Sequence, residues 1–144
     1  MILIENQGCC RAGIRRNDLG KTDPPVYVAA DEIDDCKWTL CTGTLSGFLQ
    51  AALAYEAVFA FPFQGKDFMY WLTEAELETV RSGLEKQPFG LYGWLGMDMS
   101  FYSNAFDNMV VIMDCGDLEM LYGAASETGY KKLMEVMEGL GEAI

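Results

Sequence analysis

The stretch 44–61, TLSGFLQAALAYEAVFAF, is the longest uninterrupted apolar segment of the chain and constrains its fold more than any other. Leu45, Phe48, Leu49, Ala52, Leu53 and Phe59 recur at the three- and four-residue spacing that gathers side chains on one side of a helix, while Ala51, Ala54 and Ala57 keep the opposite side thin. Gln50 and Glu56 are its only strongly polar residues. Such a segment predicts a helix buried on most of its circumference, lying across a sheet with a second layer or a partner nearby.

The flanking sequence supplies that sheet. Cys10, Ala12 and Ile14 alternate with Arg11, Gly13 and Arg15, which predicts a strand with one basic face. Asp23-Pro24-Pro25 blocks helix formation and leads stiffly into a strand at Val26-Tyr27-Val28. A short strand is expected around 37–40 and another around 68–72. Thr73-Glu74-Ala75-Glu76 fits a capping box opening an amphipathic helix to about Lys86, with Leu77, Val80 and Leu84 as its apolar stripe. The glycines at 90, 93 and 96 interrupt an apolar run and predict one bent or bulged strand over 90–102. Asp114-Cys115-Gly116-Asp117 sits between two strand-like runs as a hairpin turn, and Ser126 caps a last helix whose core face is Tyr130, Leu133, Met134 and Met137. The pattern predicts one α+β domain over 1–144, of two layers: a twisted, mostly antiparallel sheet packed against the central apolar helix and two further helices.

At 144 residues and 51% apolar composition the chain has ample material for one core. Its formal charge is -12. Residues 1–30 hold Arg11, Arg15, Arg16 and Lys21 against Glu5, Asp18 and Asp23, a balance of 4 - 3 = +1, so the remainder carries -13. That balance argues against direct nucleic-acid binding, which rewards cationic surface, and permits attraction to a basic protein. The central helix falls short of the roughly 20 apolar residues of a membrane span, and the N-terminus lacks signal-peptide character, which predicts a cytoplasmic protein.

Catalytic chemistry finds little footing. There is no histidine, so His-based triads are absent, and five cysteines without a CxxC pair read as free thiols of a reducing compartment and not as a metal centre. Asp31-Glu32-Ile33-Asp34-Asp35 lacks the ligand spacing and glycine turn of a calcium loop and reads as a solvated acidic loop. The glycines near 90–96 form neither a dinucleotide fingerprint nor a P-loop. Trp38, Trp71 and Trp94 read as packing or interface anchors. No cofactor or metal is expected, and a binding module is.

Glu5-Asn6-Gln7-Gly8, then Asp23-Pro24-Pro25-Val26-Tyr27-Val28, then Leu45-Ser46-Gly47-Phe48-Leu49 opening an apolar helix with Tyr55-Glu56-Ala57, resemble the SUKH superfamily in its bacterial SMI/KNR-like branch. The order and spacing of all three blocks agree, and the closing hairpin and helix over 109–137 are similar in layout. The resemblance implies a non-enzymatic immunity protein that binds and neutralises a cognate toxin of a bacterial polymorphic toxin system; the acidic balance fits a basic nuclease domain as that partner. The alternative it implies is a regulatory or scaffold protein of the same type without a toxin, and a metal-dependent or small-molecule enzyme is a weaker third. The family-motif residues are Glu5, Asn6, Gln7, Gly8, Asp23, Pro24, Pro25 and Tyr27, read as turn and strand-stiffening residues, while Asp31, Glu32, Asp34 and Asp35 are the expected partner contacts. Members commonly carry further structure before the first block, whereas here Met1 lies almost at it; an uncovered face closed by self-association into a homo-oligomer is the expected consequence.

Overall fold

The computed structural model of the chain describes residues 1–4, 8–30 and 37–144. In chain order the elements are β1 (Leu3–Ile4), β2 (Cys10–Gly13), a 3-10 turn at Arg16–Asp18, β3 (Val26–Ala30), β4 (Thr39–Thr42), α1 (Leu45–Ala60), β5 (Phe63–Gln64), β6 (Tyr70–Leu72), α2 (Glu74–Gly83), β7 (Glu85–Trp94), β8 (Met97–Ser103), β9 (Asn108–Asp114), β10 (Leu118–Ala124), α3 (Glu127–Met137) and β11 (Glu142–Ala143). The expected α+β class holds, with the strands divided between two antiparallel sheets. The smaller runs β1-β2-β3-β4. The larger runs β11-β6-β10-β9-β8-β7, with β5 also paired to β10.

The larger sheet is buried on both faces, and the period of two along β9 and β10 shows how. Val111, Met113 and Leu121 point to one side, where they meet Phe48, Ala51 and Val58 of α1 and the inner face of the small sheet through Cys10, Ala12, Val26, Val28 and Cys41. Val110, Ile112, Met120 and Tyr122 point to the other, against Leu77 and Val80 of α2 and Leu133 and Met137 of α3. A strand buried on both faces reads as a continuous apolar run, which is what Met109 to Met113 is. Full burial of each such side chain contributes about 1.5–3 kcal/mol.

The capping box is present as expected. Thr73 Oγ1 accepts from the Glu76 amide at 3.3 Å, and Glu76 Oε2 accepts from the Thr73 amide at 2.8 Å. Glu76 Oε1 also accepts from the Gly141 amide at 2.9 Å, tying α2 to the C-terminal tail. That tail returns to pair with β6 through Glu142 opposite Trp71.

Two expectations need correction. The helix opened by Thr73 stops at Gly83, and the residues around Pro88 lie in β7. Pro88 is tolerated because β7 is an edge strand and its register with β8 shifts between Lys86 and Gly90. The run 90–102 is a hairpin, not one bent strand: Trp94 faces Met97 across a two-residue turn in which both Leu95 (φ 56°) and Gly96 (φ 76°) adopt the left-handed conformation. A leucine at a position that favours glycine or asparagine hid the turn.

Candidate functional site

The acidic residues Asp31, Glu32, Asp34 and Asp35, and the motif residues Glu5, Asn6 and Gln7, lie outside the described residues. The rest of the motif falls into supporting positions. Gly8 takes a φ of 77°, the turn conformation that favours glycine. Pro24 is buried and Pro25 half-buried at the start of β3. Tyr27, also half-buried, carries the Arg15 guanidinium 3.7 Å above its ring. Asp23 reaches the start of α1: its carboxylate accepts from the Ser46 amide at 2.9 Å and from the Ser46 hydroxyl at 2.5 Å, beside Thr44, whose Oγ1 accepts from Gly47. The Ser46 hydroxyl, then its amide, holds the Asp23 carboxyl below its ordinary pKa. Two blocks far apart in sequence, Asp23-Pro24-Pro25 and Leu45-Ser46-Gly47, are thus one structural joint that aims the central helix.

What that helix shows to solvent is the candidate site. Only Phe48, Ala51 and Val58 are buried along it. The expected face of large side chains is divided: Phe48 is buried and Leu45 and Ala52 pack against the core, whereas Leu53 is 69% exposed, Leu49 about half, and Phe59 over a third. From the thin side Ala51 is buried against the core and lets the two backbones come close, while Phe48 and Val58 fill the ends of the contact. The exposed surface continues on both flanks. Tyr55 meets Phe59 edge-on at 5.0 Å, and Phe59 meets Phe68, itself 67% exposed, at 5.6 Å. On the other side, Ile2 and Leu3 beside edge strand β1 stand exposed across from the helix. Between them runs a groove of about 310 Å³, lined by Ile2, Leu3, Leu49, Ala52, Leu53 and Tyr55, with the T-shaped pair Phe48 and Trp94 (5.9 Å between centroids) at its base. Glu56 is the one charged residue among the described residues lining it.

A contiguous apolar face of this kind is informative in a way that scattered exposed leucines are not, because it leaves water against surface that a partner would cover. Other concavities offer less. A groove of about 490 Å³ between 42–44 and 86–92 holds Lys86 and the Tyr92 phenol as its only titratable side chains. Among the described residues no three Asp, Glu or Cys side chains converge as a metal site. Of the described cysteines, Cys10 and Cys41 are buried and Cys9 and Cys115 exposed; burial pushes Cys41 up to a pKa of about 11. Among the three tryptophans, Trp94 packs in the core while Trp38 and Trp71 remain exposed. The described residues contain no helix long and apolar enough to cross a membrane.

Leu49, Leu53, Phe59 and Phe68 were legible as apolar residues but not as surface. The signal was the unbroken apolar circumference of 44–61, which told that more than one face needs covering without telling which face the domain itself covers. No known protein family, characterised protein or solved structure matches the chain.

Proposed function

We propose that this protein is a non-enzymatic binding protein of the immunity type, which neutralises a cognate toxin by covering it with the exposed face of α1. The observation that carries the reading is that face: aliphatic and aromatic side chains from β1, α1 and the segment before β6 form one apolar surface, with Glu56 the one carboxylate among the described residues of its groove. Large apolar and aromatic side chains at the centre of a contact and charge around it is the usual anatomy of a protein interface. The net charge of -12 supports a basic partner, since complementary fields speed encounter while apolar fit sets the lifetime of the complex. Free thiols at Cys41 and Cys115 support action in the reducing cytoplasm. The resemblance in residues 23–28 and 45–57 supports the toxin as the class of partner.

The test is co-expression with the products of neighbouring reading frames, read by growth rescue and by co-purification. Rescue by the natural chain that Leu53→Asp and Phe68→Asp each abolish, with unfolding midpoints unchanged, supports the reading. Rescue indifferent to both substitutions removes this face from it, and the lack of any neighbouring toxin turns the protein into a regulatory or scaffold binder.

A further inference from the structure

We infer that, when no partner occupies it, the exposed face of α1 pairs with the same face of a second copy of this chain about a two-fold axis. The shape of the face argues for this. Leu53, 69% exposed, lines one side of a groove whose lining also holds Ile2 and Leu3, so a two-fold rotation can set each copy's Leu53 into the other's groove. A protrusion beside a recess of matching chemistry is self-complementary, which is what an isologous contact requires.

The area is sufficient. The exposed fractions of Ile2, Leu3, Leu49, Leu53, Phe59 and Phe68 amount to about 600 Å² per copy at roughly 200 Å² for each large side chain, against about 800 Å² per partner in a standard interface. Neighbouring atoms covered at the rim make up part of the difference, and the contact falls in the reversible range.

Charge admits a second copy. Glu56 is the one charged side chain among the described residues lining this groove, so an apolar copy of itself needs no counter-charge there, while a basic partner is drawn by the charge of the chain as a whole. The net repulsion between two copies of charge -12 is long-ranged and screened by salt. Self-association therefore strengthens as salt is added. Capture of a basic partner weakens, so the two uses of one face respond to salt with opposite sign. They also exclude each other.

The inference rests on reading this face as a contact surface and not on the partner being a toxin; a strictly monomeric protein that still rescues growth overturns the dimer alone. The experiment is sedimentation equilibrium of the full chain under reducing conditions, because Cys9 and Cys115 are exposed, from about 5 to about 500 μM at about 50 and about 500 mM salt. A monomer–dimer equilibrium that shifts toward dimer at high salt is expected. Leu53→Asp and Phe68→Asp should each raise the dissociation constant about 30-fold, the effect of losing a central anchor. Leu19→Asp, at a leucine 66% exposed just after the 3-10 turn and outside this face, should leave it unchanged. Monomer at every concentration and salt, or a dimer that neither Leu53→Asp nor Phe68→Asp weakens, overturns the proposal.

Discussion

The two sides of the large sheet are covered by helices of different character. α2 and α3 bury one stripe each, Leu77 and Val80 in one, Leu133 and Met137 in the other, and turn charge outward. Their exposed sides carry ion pairs, Arg81 with Glu78 at 3.6 Å and Lys131 with Glu127 at 2.6 Å, and α2 has a complete capping box. α1 buries Phe48, Ala51 and Val58 and then presents leucines to water, with no acidic residue in its first turn and no basic residue in its last. One pair of helices is finished by the domain itself; the outer side of the third is left uncovered, and the reading proposed above assigns its cover to a partner. Folding constrains just the inner stripe of a helix, so an apolar outer stripe points to selection by another molecule.

That contrast breaks most sharply along α1 itself. Phe48→Ala, which empties the contact with Trp94, should cost about 3–5 kcal/mol, whereas Leu53→Ala one and a half turns away should stay within about 0.5 kcal/mol; denaturant titration of both variants checks the pair. Equal losses would mean that the face of α1 assigned to solvent is packed.

On the opposite side of the sheet the corresponding test is polar. Asn108 is buried with every hydrogen bond made: Oδ1 accepts from the amides of Asn104 and Ala105, and Nδ2 donates to Asn104 Oδ1 and to the Gly129 carbonyl inside α3. Asn108→Ala strands those groups and should cost about 1–3 kcal/mol, read in the same titration. A loss below that range would mean that α3 is seated by Leu133 and Met137 alone.

A smaller effect separates the helices by pH. The amides of Thr73 and Gly141, then the Thr73 hydroxyl, hold the Glu76 carboxyl below its ordinary value of 4.5. A folded-state pKa below the unfolded one gives stability that is complete above about 4.5 and lost as the pH falls through the folded value. Thermal unfolding of the natural chain should therefore decline more steeply than that of Glu76→Gln from about pH 5 to about pH 3; parallel curves would remove Glu76 from the account. The smallest effect belongs to the exposed pair on α3: Lys131→Ala should leave the melting temperature unchanged within error, and a clear fall would show that the finished surface contributes more than solubility.

Much of this fold is written locally. Thr73 and Glu76 announce α2 because a cap needs only residues three apart, and Asp114 to Asp117 announce the turn between β9 and β10, where Gly116 takes a φ of 110°. The strand through Pro88 was not legible because a proline's place depends on whether a neighbouring strand needs its missing amide, a fact about the sheet and not about the segment. The joint between Asp23 and Ser46 was carried by residues the motif blocks already contained, yet no local rule pairs side chains 23 positions apart.

The sequence by itself determined that residues 44–61 form an apolar helix, that α+β architecture surrounds it, and that the molecule is strongly acidic. Only the tertiary structure decided which stripe of that helix faces inward. Apolar residues all round leave the helix no preference of its own, and the choice passed to the sheet, which takes in Phe48, Ala51 and Val58 and leaves Leu49 and Leu53 in water.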